Sequence, residues 1–393
     1  MIIKKRKVLN LKFSFLITIF SLFAFTACGG CSSVPETLPL KIGNNKKGTN
    51  PNNAPDKTSN VKKVIVLFHG LNCPNDSGIA DLKSKLDSNI KNTEVIILKR
   101  NNSNSVPTTQ QGAEAYAMLK EELEKRKLIN KSPICLIGDS HGGLVALELY
   151  RQYKDDLNIV GIITNHSPLE GAPGVNVSDN DVATFKQTIK ILLDSISSLP
   201  LALTKGLNLK TSELSKKIDS LQLKEVLTGK IQQPVVDELT KNSTLLNNIA
   251  KTLSSIPIPV LVLAGYADIL TNITALLGFA SQDKKAGKDL AILRNQLESL
   301  RRKMDEMGPM KPMLDIMLQP LEDAFGNLIG DKKNDSFVPL YSQMAQNISV
   351  SSSVRKYSQL GYHHFYGMTS PGQNINTYGE IVNFINKVLE DKK

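Results

Sequence analysis

The sequence predicts an α/β fold with a mostly parallel central sheet that is flanked by helices. Apolar runs such as Val64-Ile65-Val66-Leu67-Phe68 are continuous rather than alternating, as expected for strands that are buried on both faces of a parallel sheet. Helical patterns such as residues 110–127 alternate with these runs, which is typical of α/β architectures. Hydrophobic residues make up 41% of the 393-residue chain, so the chain can form a packed core.

The predicted elements follow one another along the chain. Strands are predicted at residues 64–68, 95–98, 134–137, 159–164, 260–264 and 354–360, and helices at about residues 110–127, 142–153 and 375–389.

Two segments break this alternation. In residues 175–256 no strand pattern is evident, and apolar residues such as Ile189, Leu192 and Leu193 recur at helical spacing. Residues 272–330 show a similar pattern. We therefore predict two helical insertions that form a cap or lid.

The second insertion contains a leucine stripe and a methionine-rich stretch. Leu290, Leu293 and Leu297 begin the stripe, which we interpret as a surface for helix packing. Five methionines lie between residues 304 and 317. Packing between helices would explain them too, but a lid over a lipid pocket is a second hypothesis, because methionine surfaces adapt to varied apolar partners.

The first residues are typical of an export signal. Basic residues 4–7 precede an apolar stretch over residues 13–27, which is short for a transmembrane helix. Phe25-Thr26-Ala27-Cys28 is similar to a bacterial lipobox, in which the cysteine carries diacylglycerol. An ordinary signal peptide or an uncleaved anchor is the alternative. We expect a signal peptide at residues 1–27, a lipid on Cys28 and a flexible tether after it.

These features predict an exported lipoprotein that is anchored to the membrane of the bacterial cell envelope. Gly29 follows Cys28 where an aspartate is common in lipoproteins of the inner membrane, so the outer membrane or the surface is favoured. Residues 1–27 contain five basic and no acidic residues, so cleavage lowers the formal net charge from +11 to +6. This charge suits a surface that faces anionic lipid, although a lysine-rich composition explains it as well.

Other partners are not indicated by the composition. No arginine-rich patch with interleaved aromatic residues points to nucleic acid. The four cysteines suggest neither a disulfide framework nor a zinc site, and Cys135 lies inside an apolar run as a small core residue. We expect no cofactor and no metal.

A turn between a predicted strand and a predicted helix reads Gly138-Asp139-Ser140-His141-Gly142-Gly143. It matches the G-x-S-x-G nucleophile elbow, which places a serine on a strained turn at the end of a strand. Glycines two residues before and two residues after the serine avoid Cβ clashes with neighbouring backbone. Ser140 is therefore the predicted nucleophile.

The end of the first predicted strand carries the expected oxyanion loop. The sequence there is Phe68-His69-Gly70-Leu71. With this motif, the expected oxyanion donors are the backbone amides of Leu71 and of His141, the residue after the nucleophile.

Only five histidines are available for the general base. Three of them, His69, His141 and His166, lie in loops that already have another assignment. The base should follow the serine and the acid along the chain, which leaves His363 or His364. We prefer His364, because the base in such hydrolases is commonly followed by an apolar residue that enters the last helix.

Two carboxylates compete for the role of the acid. Asp268 follows a predicted strand in Gly265-Tyr266-Ala267-Asp268, and Asp335 lies in Asn334-Asp335-Ser336-Phe337-Val338-Pro339. Either could instead be a loop carboxylate that caps a helix or a turn, so the residues alone leave the acid open.

Together these motifs resemble the α/β-hydrolase superfamily, in particular bacterial triacylglycerol lipases and the related GPI inositol-deacylase-like hydrolases. The resemblance covers residues 64–174, 257–270 and 331–390. Because the acid of that family lies in N-D-G-x-V-P, the resemblance implies Asp335 as the acid, with Ser336 where the family has glycine. Residues 164–173 are similar to the family's T-P-H-x-G-S-P loop.

The resemblance implies a serine hydrolase that cleaves carboxylic esters of lipids or other ester substrates through an acyl-enzyme. A lipase, phospholipase or carboxylesterase would fit. The alternatives are a thioesterase, acyltransferase or peptidase with the same triad, or a surface lipoprotein that uses the fold only for binding. The predicted organisation is a signal peptide at 1–27, a tether at 28–63, hydrolase core at 64–174, 257–271 and 331–393, and helical insertions at 175–256 and 272–330.

Overall fold

Six parallel strands form one sheet in this computed structural model. The strand order is β2-β1-β3-β4-β5-β6, with β1 at Lys63–Phe68, β2 at Thr93–Leu98, β3 at Ile134–Asp139, β4 at Ile159–Asn165, β5 at Val260–Tyr266 and β6 at Val354–Leu360. The structure describes residues 62–71, 77–128, 132–197, 215–216, 218–219, 223–228, 231–280, 291, 294–295, 297–299, 301–302, 306, 311–364 and 375–390. The predicted α/β class is confirmed, and every pairing between these strands is parallel.

Helices connect the strands. The main helices are α1 (Ser77–Asn89), α2 (Thr108–Lys125), α3 (His141–Tyr153), α4 (Asp179–Ser197), α5 (Leu223–Thr228), α6 (Gln233–Leu239), α7 (Thr244–Ser255), α8 (Ile269–Ala280), α9 (Lys311–Ile329), α10 (Leu340–Gln343) and α11 (Ile375–Leu389).

The first strand shows why the apolar runs are continuous. Successive side chains of a strand point to opposite faces, and both faces of β1 are covered. Val64, Val66 and Phe68 pack in one apolar cluster with residues of α2, α3 and α7. Ile65 and Leu67 pack in another with residues of α1 and α11. Residues 64–68 of this strand are therefore all buried, and only Lys63 at its start is partly exposed.

A third apolar cluster joins the two segments that interrupt the alternation of strands and helices. Phe185 and Ile189 of α4, which follows β4, pack in one cluster with Phe325 and Ile329 of α9, which follows β5. The rings of Phe185 and Phe325 have centroids 5.3 Å apart. Helices are thus observed in both segments, and their role as a cap or lid stays a prediction.

Several predicted features lie outside the described residues: the signal peptide, the tether as far as residue 61, Cys28, most of the leucine stripe and the methionines at 304, 307 and 310. Within the described part of the chain, no helix combines the length and the apolar character that crossing a membrane requires. Cys135 is a buried free thiol, and burial raises its pKa far above the usual range of a thiol.

Candidate active site

Ser140 lies on a strained turn between β3 and α3. Its backbone has φ 53° and ψ −128°, a region that residues other than glycine rarely adopt. A Cβ added to Gly138 would lie 2.4 Å from the backbone of Gly142, and one added to Gly142 would lie 2.5 Å from the carbonyl oxygen of Phe68. The two glycines therefore allow the strand, the turn and the helix to approach one another, as the motif predicts.

A chain of hydrogen bonds leads from Ser140 to His364 and Asp335. The Nε2 atom of His364 lies 2.9 Å from Ser140 Oγ, and its Nδ1 atom lies 2.8 Å from Asp335 Oδ2. The backbone N–H of His364 also donates to the carbonyl oxygen of Asp335 over 2.6 Å. The structure thus brings together the preferred nucleophile, base and acid, which lie up to 224 positions apart in sequence.

The carboxylate of Asp335 is buried and surrounded by N–H donors. Its Oδ1 atom accepts hydrogen bonds from the backbone amides of Phe337 (3.1 Å) and Val338 (2.8 Å). Burial by itself would raise the pKa of Asp335, but the charge of His364 and the hydrogen bonds from His166 and His364 lower that pKa well below its usual range. An ionised carboxylate only accepts hydrogen bonds. Nδ1 of His364 therefore carries a proton, and its Nε2 can accept the proton of Ser140.

A second histidine, His166, also contacts Asp335, which the sequence does not predict. Its Nδ1 atom lies 2.7 Å from Asp335 Oδ2, the oxygen that also accepts from His364. The sequence alone predicts only that His166 lies in a loop after β4. One signal could have found it: β4 is next to β3 in the sheet, so residues that follow these two parallel strands lie at the same edge.

Asp268 and His363, the alternatives to Asp335 and His364, have different surroundings. Asp268 precedes α8 as a helix cap: its Oδ1 atom accepts from the amide of Thr271 over 2.9 Å, and its Oδ2 atom accepts from the Thr271 hydroxyl over 2.5 Å. Burial is the main cause that lowers the pKa of His363 to about 4. The charges of His166, His364 and Arg294 lower it further. His363 is thus a neutral neighbour of the hydrogen-bonded chain at physiological pH.

The predicted oxyanion loop passes directly beside Ser140. A Cβ added to Gly70 would lie 3.1 Å from Ser140 Cβ and 3.5 Å from Ser140 Oγ. Leu71 follows in this loop and packs, partly buried, against the core. His141 is the first residue of α3, where the helix dipole favours negative charge. Both predicted donors therefore belong to segments that adjoin Ser140.

His69 and Arg100 hold the start of this loop. The backbone N–H of Arg100 donates to His69 Nε2 over 2.9 Å, so the ring proton is on Nδ1, which donates to the carbonyl oxygen of Gly70 over 2.7 Å. The guanidinium of Arg100 also donates to the carbonyl oxygen of His69. Burial, followed by the charge of Arg100, lowers the pKa of His69 to about 4. His69 is a structural residue of the loop, as expected from the sequence.

A further chain of hydrogen bonds reaches the side chain of His141. Its Nε2 atom lies 2.8 Å from the hydroxyl of Thr108, which donates to Glu238 Oε2 over 2.6 Å. The same carboxylate oxygen accepts from the backbone amide of Thr108 at the start of α2. Burial, with smaller effects of Arg100 and His69, lowers the pKa of His141 well below its usual value. The residue after the nucleophile is thus tied to α2 and α6.

His166, Asp335 and His364 also form a group whose donor atoms lie within 4.8 Å of one another, a spacing that could hold a metal ion. Their hydrogen bonds already account for this spacing, because both imidazole Nδ1–H groups donate to Asp335. A cation would have to displace both protons.

The order of these residues along the chain matches their positions in the sheet. Ser140 follows β3, Asp335 lies between β5 and β6, and His364 follows β6, which is the order serine, acid, histidine. Ser140 stands at the carboxyl edge of a parallel sheet flanked by helices. The fold is that of the α/β-hydrolases.

Comparisons with known proteins place the chain near solved structures of low sequence identity. The lin2722 gene product of Listeria innocua is 12% identical with a TM-score of 0.41, covering 84% of this chain and 95% of that one. The lipase BlEst2 of Bacillus licheniformis is 15% identical with a TM-score of 0.37, covering 86% and 96%. The phospholipase PlaB of Legionella pneumophila is 11% identical with a TM-score of 0.35, covering 52% and 40%. No protein-family model and no curated protein matches the chain.

Proposed function

We propose that this protein is a serine hydrolase that cleaves carboxylic esters, with lipids as its substrate class. One observation carries the proposal: Ser140 lies on a strained elbow with its Oγ atom 2.9 Å from the Nε2 atom of an imidazole that is bonded to a buried carboxylate. Such an arrangement activates a hydroxyl for attack on a carbonyl carbon.

In the proposed reaction, His364 takes the proton of Ser140 as the hydroxyl attacks the ester carbonyl. Asp335 stabilises the imidazolium that forms. The backbone amides of Leu71 and His141 donate to the oxyanion. The imidazolium then protonates the leaving alcohol, which leaves an acyl group on Ser140. Water, activated by His364, hydrolyses this acyl-enzyme and restores the serine.

The lipid substrate class is supported by the lipase-like motifs and by the apolar helices that follow β4 and β5. α8 and α9 contribute buried apolar residues to the cluster that joins these two segments.

Labelling with a fluorophosphonate tests the nucleophile. We expect covalent labelling of the wild type, none in Ser140→Ala, and full labelling in Ser88→Ala, since Ser88 is an exposed serine of α1. A panel of acyl esters and thioesters of increasing chain length then tests the substrate class. An unlabelled wild type would contradict the proposal, and a preference for thioesters would favour the alternative acyl chemistry.

We also propose that the chain is exported and anchored through a lipid on Cys28. The support is the basic and apolar sequence before Cys28 and the lipobox-like residues 25–28. Metabolic labelling with radioactive palmitate in a bacterial host should mark the wild type but not Cys28→Ala. Cys31→Ala is a matched control, because Cys31 lies three residues later and should leave labelling intact. Equal labelling of the wild type, Cys28→Ala and Cys31→Ala would disprove a lipid anchor on Cys28.

A further inference from the structure

The acid of the site accepts hydrogen bonds from two imidazoles on one oxygen. Asp335 Oδ2 lies 2.8 Å from His364 Nδ1 and 2.7 Å from His166 Nδ1. A serine, a base and an acid suffice for the reaction proposed above. The second histidine, His166, is only 1% exposed, and it has no role in the reaction proposed above.

The position of His166 is tightly determined. Its backbone has φ 50°, which is uncommon for a residue other than glycine, and its N–H donates to the carbonyl oxygen of Leu263 over 3.0 Å. Its ring stacks on Tyr362 with centroids 5.8 Å apart. A Cβ added to Gly265 would lie 2.7 Å from its Cε1 atom. The backbone, the glycine and the stacked ring together hold the imidazole against the carboxylate.

The direction of this hydrogen bond follows from the charge of its partner. The ionised carboxylate of Asp335 accepts only, so Nδ1 of His166 donates. Its Nε2 atom is buried and has no hydrogen-bond partner among the described residues, so a proton there would lack an acceptor within the described part of the chain. His166 therefore contacts Asp335 as an N–H donor through its Nδ1 atom.

We propose that His166 is a positioning residue for Asp335, fixing Oδ2 in line with the Nδ1–H of His364. The inference rests on the proposed hydrolase function and deepens it. Oδ1 is held by the amides of Phe337 and Val338, and His166 holds the other oxygen. Without the His166 donor, Oδ2 keeps its hydrogen bond to His364 but is no longer fixed in one direction, so the geometry of that bond varies and the proton transfer from Ser140 slows.

Loss of the donor also changes the pH dependence. The hydrogen bond from His166 withdraws charge from the oxygen that His364 contacts. Without it, the carboxylate stabilises the imidazolium of His364 more strongly, and the acid limb of the kcat/KM profile moves to higher pH. Among the described residues, titratable or charged groups near His364 include Asp335, His166, His363 and, beyond His363, Arg294. All of these groups except His166 itself are unchanged when His166 is substituted.

The experiment compares His166→Asn with His166→Leu. Asparagine and leucine have the same branched shape, but only asparagine carries an N–H group at the position of Nδ1, and it tolerates positive φ. Because leucine could disturb folding at this φ, His166→Ala is made as a second variant without a donor. Circular dichroism and thermal unfolding identify the folded variants. Ester hydrolysis is then measured from pH 5 to 9 beside the wild type and Ser140→Ala.

We expect kcat to fall about 10-fold to 100-fold in His166→Leu and His166→Ala, with KM within about twofold, because His166 is buried and presents almost no surface to a substrate. Their acid limb should move up by roughly half to one pH unit, and His166→Asn should recover most of the rate and the wild-type limb. A folded His166→Leu or His166→Ala with the wild-type rate and pH profile overturns the positioning role. An equal loss in His166→Asn also overturns it, since the N–H would then not matter. A wild type without hydrolysis or labelling overturns the proposed function itself.

Discussion

Arg100 contacts His69 through both its main chain and its side chain. The amide of Arg100 donates to the imidazole over 2.9 Å, and its guanidinium donates to the carbonyl oxygen of His69. The guanidinium also donates to Gln111, and its Nε atom is buried without a partner among the described residues. Burial lowers the pKa of Arg100 to about 10, so it stays charged at neutral pH. The buried guanidinium of Arg100 therefore stabilises the loop that leads to Gly70 and Leu71.

Replacing Arg100 by methionine should therefore impair catalysis more than stability. We expect kcat to fall about 10-fold, less than the 10²–10³ of a lost oxyanion donor, because the loop loses one anchor but keeps its amides. Stability should change little, since removing a buried charge offsets the lost hydrogen bonds. Steady-state ester hydrolysis and urea unfolding measure the two effects. Arg126→Met, which removes a partly exposed arginine paired with Glu94 and Glu122, should change neither. A purely structural role would instead lower stability and leave the kcat of the folded enzyme intact.

His69 should make the protein sensitive to mild acid. Its pKa in the folded state is lowered to about 4, whereas in the unfolded chain it lies near 6.5. As the pH falls, the unfolded chain binds the proton first, so stability present above about pH 6.5 is lost progressively down to about pH 4. The loss is at most roughly 3 kcal/mol, at about 1.4 kcal/mol per pKa unit.

The substitution that isolates this effect is His69→Gln. A glutamine oxygen can still accept from the amide of Arg100, but it does not titrate. Urea unfolding at pH 7 and pH 4 should show a smaller loss of stability in the variant, by up to about 3 kcal/mol. His363 and His141 titrate in both proteins and cancel in the comparison. An unchanged pH dependence would show that His69 remains neutral for another reason.

The sequence was most informative where one local rule decides the structure. The strand at 354–360 and the helix at 375–389 are observed with the predicted bounds, and in the helix the apolar residues recur with a period close to 3.6. The elbow at Ser140 needed glycines at fixed offsets, and the two clashes of 2.4 and 2.5 Å at Gly138 and Gly142 explain why.

Residues that act through distant contacts were harder to predict. His166 bonds to Asp335 across 169 positions, and no local pattern distinguishes it from a loop histidine. Arg100 follows β2 beside Lys99, where a basic residue is typical of a solvated loop, yet it is 4% exposed. Glu238 reaches Thr108 only because α6 packs near the start of α2. Each of these roles depends on tertiary packing.

The identity of the acid can be tested by two matched substitutions. Asp335→Asn should lower kcat by about 10⁴, because the amide no longer fixes the tautomer of His364. Asp268→Asn should leave kcat unchanged, and it should also leave stability unchanged because asparagine caps helices as well as aspartate does. Ester hydrolysis and thermal unfolding of both variants measure this. If only Asp268→Asn is inactive, the acid is Asp268 and the assignment of Asp335 is wrong.

Ser336 follows Asp335 at the position where lipase-like sequences have glycine. Its backbone strain and its side-chain hydrogen bond have opposite effects on stability. Its φ is 92°, a value that favours glycine, but its hydroxyl donates to the side chain of Asn272 over 2.9 Å. Ser336→Ala should keep the strain and lose the hydrogen bond, costing about 1–2 kcal/mol. Ser336→Gly should lose the bond but relieve the strain, so its stability should lie within about 1 kcal/mol of the wild type.

The decisive measurement is which of the two variants, Ser336→Ala or Ser336→Gly, has the higher free energy of unfolding. Alanine normally stabilises a protein relative to glycine by about 0.4–1 kcal/mol through the unfolded state, so a more stable Ser336→Gly would reverse the usual order and report the strain directly. Chemical unfolding of the three proteins gives this order. Hydrolysis should remain near the wild-type rate in both variants, because the amides of Phe337 and Val338 still hold Asp335. A Ser336→Ala variant that is more stable than Ser336→Gly by about 0.4–1 kcal/mol would mean that the turn is unstrained and that the hydroxyl alone explains the serine.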